Sequence, residues 1–349
     1  MGSAHPTYLG PLGPRVPLVA CPPVVFGANK RALGKGTRLV TRPHFDGTML
    51  RMDVIHVDGL AKRYGRRVGV HDLSFQIQSG ALFGFLGPNG AGKTSTIRML
   101  LGLLRPSSGR ATIFGLDVWE QSHRIKADVG YVPGDLRLYP WLTCRNAAAI
   151  VGRARGMDLT ARGRELSDEF HLDPDVPVQS MSRGMKQKLG LMLALIHTPR
   201  LLILDEPSTG LDPLMQEILF AHLRRRVAEG GTVFFSSHTL SEVELLCDRV
   251  AILRDGRMVE HETLQRLRDR AGRTVEILWK PDAATDRIEV PPFLRIAERN
   301  GVRWRAALTG SRVELMRWCA GQPIADVSIG QPDLAELFRT YYAATEEER

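Results

Sequence analysis

The apolar positions fall into two rhythms from about residue 52 onward. "DVIHV" (53–57), "VGVHDLSFQI" (68–77) and "ATIFG" (111–115) are rich in Val, Ile and Phe, which predicts strands. "ALFGFLG" (81–87) is a short apolar run closed by glycine and followed at once by a helical pattern, "KTSTIRMLLGLL" (93–104). The same order returns downstream. A wholly apolar strand, "LLILD" (201–205), precedes the helix "LMQEILFAHLRRRVAE" (214–229), and "TVFFSS" (232–237) is a further strand. "RVAILRDGRMVE" (249–260) predicts a hairpin turning at Asp255–Gly256. Strands alternating with helices predict an α/β core built on a parallel sheet. After about residue 272 the texture changes. "TVEILW", "GVRWRAAL", "RVELMRW" and "ADVSI" read as strands of a small α+β appendage, closed by the helix "PDLAELFRTYY".

The first fifty residues keep neither rhythm. Prolines recur at 6, 11, 14, 17, 22 and 23, so residues 1–51 are expected to be a leader, 52–271 the main domain and 272–349 an accessory domain. Folded-looking sequence begins at "MDVIHVDGL", so translation from Met49 or Met52 is expected; an intact native mass starting at Met1 would contradict this. "LVAC" (18–21) resembles a lipoprotein cleavage box but lacks the basic and apolar regions that should precede it.

Composition narrows the classes. A 43% hydrophobic chain of 349 residues can bury a substantial core. The formal charge is +9, yet residues 1–51 hold seven cations against Asp46 alone, which leaves +3 for everything after them. A nucleic-acid partner wants that charge on a folded face, so none is expected. The four cysteines are far apart with no C-x-x-C pair, which argues against zinc and against a disulfide framework. The longest apolar run, around Leu189–Ile196, is too short to span a bilayer.

Two stretches carry chemistry. "GPNGAGKT" (87–94) fits the phosphate-loop pattern G-x-x-x-x-G-K-[ST]. Its glycines let successive N–H groups point inward at phosphate oxygens, so Gly87, Pro88, Asn89, Gly90, Ala91 and Gly92 are candidate ATP contacts, with Ser95 beside them. Lys93 would reach the β and γ phosphates, Thr94 would offer its hydroxyl to Mg²⁺, and the following helix adds its positive end. "LLILDEP" (201–207) delivers Asp205 to the end of a buried strand, where it can hold the metal's water shell. Glu206 projects differently and could polarise a water toward the γ-phosphate. Alone, an Asp-Glu pair after a strand would read as a helix cap; the phosphate loop upstream favours catalysis.

The order phosphate loop, "SRGMKQ", "LLILDEP", "STGLD", "SSH" resembles the ATP-binding cassette (ABC) ATPases over about Val54 to Val259. The resemblance implies a phosphate-loop ATPase core with a parallel sheet, an antiparallel β subdomain and an α-helical subdomain. It implies that Tyr64 stacks on adenine, that Ser208, Gly210 and Asp212 form a loop communicating between two sites, and that His238 contacts the γ-phosphate. It further implies a head-to-tail dimer, in which Ser182 and Gly184 of one subunit meet ATP held by the other. Two departures stand out. Met181, Ser182, Arg183, Gly184 and Met185 occupy the places of the usual Leu-Ser-Gly-Gly-Gln, so Arg183 replaces a glycine. Either this arginine lies along the dimer interface or it is a solvated side chain at a tolerant position. Gly134 stands where a metal-contacting glutamine is usual, and Asp135 is expected to substitute in part through a water.

Among ABC proteins, the chain reads as the ATPase subunit of a drug- or antibiotic-type exporter. It would work with a separate membrane permease, bound peripherally at the cytoplasmic face of the cell membrane. "LYPWLT" (138–143) is the expected permease-facing surface, with local core packing as the alternative. The rival reading is a soluble cassette acting on ribosomes or DNA. Such proteins carry two cassettes or long inserted coiled coils, and neither is present here. An importer, or an ATP-binding protein without turnover, completes the set.

Overall fold

The computed structural model describes residues 53–343 except 284, 286, 287 and 333; the expected leader lies outside the described residues. The chain opens with β1 (Asp53–Tyr64) and β2 (Arg67–Gln78), and β3 (Leu82–Leu86) then leads into α1 (Lys93–Leu100). β4 (Ser108–Ile113) and β5 (Leu116–Asp117) return to the first pair and complete a four-stranded antiparallel sheet in the order β2-β1-β4-β5.

A helical segment follows: α2 (Ser122–Ala127), then β6 (Val129–Val132), then α3 (Cys144–Arg155), α4 (Thr160–Glu169) and α5 (Arg183–Leu195). The chain returns through β7 (Leu201–Asp205), α6 (Pro213–Ala228), β8 (Thr232–Ser237), α7 (Leu240–Leu246), β9 (Arg249–Arg254), β10 (Arg257–Thr263) and α8 (Leu264–Arg270). These strands form a six-stranded sheet in the order β10-β9-β3-β8-β7-β6. All its neighbours pair in parallel except β10, which pairs antiparallel with β9 at the edge. Every residue of β3, β7 and β8 is buried, as expected of a parallel sheet covered on both faces. The α/β architecture expected from the sequence is present. The hairpin also turns where expected: Asp255 and Gly256 both have positive φ, and Arg254 pairs with Arg257.

Two hydrophobic clusters sandwich this sheet. One joins it to the antiparallel sheet through Phe75, Phe83, Phe85 and Phe234, whose ring centroids lie 4.9–6.4 Å apart. The other joins it to the helical segment through Leu189, Leu191, Met192, Leu204 and Phe235. The C-terminal helix α10 (Leu334–Ala343) contributes Leu334 and Phe338 to this second cluster. Burying each of these is worth roughly 1.5–3 kcal/mol.

Residues 273–332 form a third sheet from β11 (Arg273–Trp279), β12 (Leu294–Asn300), β13 (Arg303–Leu308) and β14 (Ile324–Pro332), in the antiparallel order β12-β13-β11-β14. Here one expectation fails. "RVELMRW" is not a strand but the core of helix α9 (Arg312–Ala320). Its start is a capping box: Ser311 Oγ accepts from Val313 N at 3.0 Å, and Glu314 Oε2 accepts from Ser311 N at 2.9 Å. Leu315, Trp318 and Cys319 then recur at helical spacing and pack on Val275, Ile277 and Trp304. The remaining strand is β12, mostly exposed beyond Leu294, so no clean alternation marks it in the sequence.

Candidate active site

Three parallel strands end at one edge of the central sheet, which is why distant motifs meet there. After β3, the chain turns through residues 87–92 into α1. Gly92 caps that helix with φ 102°, a left-handed conformation that disfavours any side chain. The turn buries Lys93, which is 4% exposed. Its Nζ donates to Gly87 O at 2.6 Å and Pro88 O at 3.2 Å, and pairs with Glu206 Oε1 at 3.1 Å. The ammonium is thus held at the floor of the loop whose N–H groups suit phosphate.

Asp205, at the end of β7, is almost fully buried, and two hydroxyls meet its charge. Thr94 Oγ1 donates to Oδ2 at 2.8 Å, and Ser236 Oγ donates to Oδ1 at 2.7 Å. Charge-assisted bonds of this kind make burial of a carboxylate tolerable. Burial, with Asp205 nearby, also pushes the Tyr131 phenol up to about 12, so the ring stays neutral beside it. A hydroxyl and a carboxylate side by side form a hard oxygen donor set of the kind Mg²⁺ prefers, so Thr94 and Asp205 fit that ion.

Glu206 leaves the strand with φ 51°, rare for a residue with a side chain and costing on the order of 1–3 kcal/mol. Its backbone N–H is fixed by Ser236, through the carbonyl at 3.2 Å and Oγ at 3.1 Å. The kink sends consecutive acids in different directions. Asp205 meets the hydroxyls, while Glu206 spans Lys93 on one oxygen and His238 Nδ1, at 3.1 Å, on the other. Lys93, Glu206 and His238, 113 and 32 residues apart in sequence, form one row.

Tyr64 stands at the end of β1, its hydroxyl 3.0 Å from Ser95 Oγ. It lines a cleft of about 280 Å³ with Arg67, Gly69, Asn89, Gly90, Gly92, Lys93, Thr94, Ser95 and Glu206. The phenol sits tightly over Gly69, where a Cβ would come within 2.8 Å of Tyr64 Cε2.

Ser182, Gly184 and Asp212 do not line this cleft. Ser182 Oγ caps α5 by accepting from Met185 N at 3.2 Å, and Asp212 Oδ1 caps α6 by accepting from Met215 N at 3.0 Å. A Cβ on Gly134 would lie 3.3 Å from Asp205 Oδ2, so the glycine passes close beside the acid where any side chain would crowd it. Asp135, expected to help there through a water, is 69% exposed and bound by Arg137 at 2.9–3.0 Å. Sequence reasoning missed Ser236 and Gln187. Ser236 lies within "SSH", where the sequence gives it no role of its own; Gln187, whose buried Nε2 donates to Pro207 O at 2.9 Å, gives no sequence signal of that bond.

A parallel sheet with a phosphate loop, a buried acid and a kinked glutamate at one edge defines a phosphate-loop nucleotide-binding protein. The comparisons sharpen this. The family described as "ABC transporter" matches residues 70–209. Nod factor export ATP-binding protein I of Burkholderia lata is 36% identical over 258 residues, covering 72% of this chain and 85% of that protein. Linearmycin resistance ATP-binding protein LnrL of Bacillus subtilis is 34% identical over 224 residues, 63% of this chain and 72% of that protein. A solved structure described as "Structure of ATP binding subunit of ABC transporter" superposes with a TM-score of 0.59 at 30% identity, covering 62% of this chain and 92% of that one. The chain belongs to the ABC transporter ATP-binding proteins, and it is an ATPase of that family.

Proposed function

We propose that two such cassettes meet head to tail and couple ATP hydrolysis to export through a separate membrane permease. The observation that carries the catalytic part is the position of Glu206, between Lys93 and His238 and one residue from the Thr94–Asp205 pair. In this reading, the N–H groups of residues 87–92 and Lys93 bind the β and γ phosphates, and Tyr64 covers the base. Thr94 and Asp205 hold Mg²⁺, which supplies charge neutralisation at the phosphates. Glu206 orients and polarises the attacking water, and His238 Nδ1 holds the glutamate's second oxygen in place. Ser182 and Gly184 of one subunit close the site of the other, with the capped start of α5 aimed at its γ-phosphate.

Export is supported by the names of the relatives, one in Nod factor export and one in linearmycin resistance. Among the described residues no helix is long and apolar enough to cross a membrane. The expected permease surface divides in two. Leu138 packs on the core, whereas Tyr139 and Trp141 are 69% and 56% exposed and stack on each other at 5.8 Å. Exposed paired aromatics suit a protein contact.

Glu206→Gln tests the reading. The variant is expected to bind ATP, stop hydrolysing it and accumulate as an ATP-bound dimer by size-exclusion chromatography with light scattering. Hydrolysis at the wild-type rate would remove Glu206 from its role.

A further inference from the structure

Arg183 occupies the first position of α5, exposed, with no hydrogen bond or ion pair among the described residues. Its stem nevertheless has a defined place. Nε, Cδ and Cγ lie 3.7, 3.8 and 3.8 Å from where a Cβ on Gly210 would stand. Gly210 has φ 82°, so the "STGLD" loop turns there without a side chain and the arginine lies over the bare backbone. The same segments also meet at a close approach and at one hydrogen bond. A Cβ on Gly184 would sit 3.0 Å from Gly210 O, and Gln187 Nε2 donates to Pro207 O at 2.9 Å. Residues 183, 184 and 187 share one face of α5. Pro207 directly follows Glu206, so the start of α5 is hydrogen-bonded once to the loop after the glutamate and lies close against it at Gly184 and Arg183.

We infer that Arg183 is a positioning residue whose stem clamps the signature segment to loop 207–212 of the same chain. A contact made on Ser182 and Gly184 by a second subunit is thereby transmitted to the first subunit's own Glu206. The inference rests on the two-subunit reading above. It follows from two physical points. Glu206 is held in a strained backbone that only its surroundings maintain. And a small displacement of a group that orients a water has a large effect on rate.

The test uses the full chain with Arg183→Gly, Arg183→Ala, Arg183→Met and Arg183→Lys. ATPase rate is measured against ATP concentration, and single-subunit affinity by titrating dilute protein with a fluorescent ATP analogue. Glycine and alanine are expected to lower kcat roughly 5-fold and flatten the Hill slope toward unity, with single-subunit affinity unchanged. Methionine and lysine, which keep the stem, restore kcat to within about 2-fold of the parent. Parent kcat and slope in the glycine and alanine variants would overturn the clamp. Methionine as slow as glycine would also overturn it, because the guanidinium rather than the stem would then be acting. If Glu206→Gln dimerises in ATP while the glycine variant behaves as the parent, only the clamp falls. If Glu206→Gln stays monomeric in ATP, the two-subunit reading falls and takes the clamp's role with it.

Discussion

Two polar surfaces of this cassette use the same residue types in different ways. At the end of the central sheet, Lys93, Thr94, Asp205, Glu206 and His238 satisfy one another within a single chain. At the starts of α5 and α6, Ser182 and Asp212 satisfy only their own helices, and Arg183 meets no charge among the described residues. The first surface is internally satisfied. The second is folded but uncommitted, as a surface awaiting a partner would be. A hydrogen bond made in the free subunit therefore does not exhaust a residue's use. A cap fixes the helix end that a second subunit would meet.

The comparison can be broken at either surface. The largest effect is expected at the first, where Glu206→Gln should lower kcat by roughly 10²–10³-fold with ATP binding retained, read by single-turnover hydrolysis and equilibrium binding. A structural effect of intermediate size lies on the helix that joins the surfaces. Just past the C-terminal end of α5, His197 Nε2 donates to Val129 O on β6 at 3.2 Å. Burial, and then the nearby Arg155, depress this histidine to about 4. The unfolded chain therefore binds a proton that the folded one refuses. Stability should fall as pH drops from about 6.5 to about 4, by up to on the order of 3 kcal/mol, and level off below that. Urea unfolding of the parent and of His197→Asn across this range checks it, with the asparagine variant expected to show the shallower dependence.

Ser182→Ala separates capping from contact. Loss of the cap alone costs about 1 kcal/mol of stability, whereas a lost contact across subunits should lower ATPase activity well beyond what unfolding explains. A fall in thermal midpoint with parent-like activity would confine Ser182 to its helix. The smallest effect is expected at Asp135. Its exposed pair with Arg137 contributes about 0–1 kcal/mol, so Asp135→Ala should leave the thermal midpoint nearly unchanged, and unchanged Mg²⁺ dependence and turnover in that variant would remove Asp135 from the metal role.

The sequence made the first surface legible because its motifs are contiguous and each follows a buried strand. The eight residues of "GPNGAGKT" and the five of "LLILD" determine where Lys93 and Asp205 emerge. What could not be read was the kink at Glu206, since no residue type there demands positive φ, and the role of Ser236, which acts across from a neighbouring strand. Beside the third sheet, "RVELMRW" reads as a strand because its Val, Leu and Trp satisfy a strand's composition, yet it is helical. The preceding serine with glutamate three residues on was the stronger signal. Arg183 was visible as a departure from glycine, but its packing on Gly210 depends on a turn whose partner lies 27 residues away.

The central claim is that each complete site takes its two surfaces from different subunits, and complementation tests it most directly. Lys93→Ala disables the first surface and Gly184→Asp the second, so each variant alone should be inactive. Mixed in equal amounts, they should form heterodimers carrying one intact site, recovering up to about a quarter of parental ATPase activity if pairing is random. No recovery on mixing, with both variants folded and present as dimers in ATP, would contradict the account.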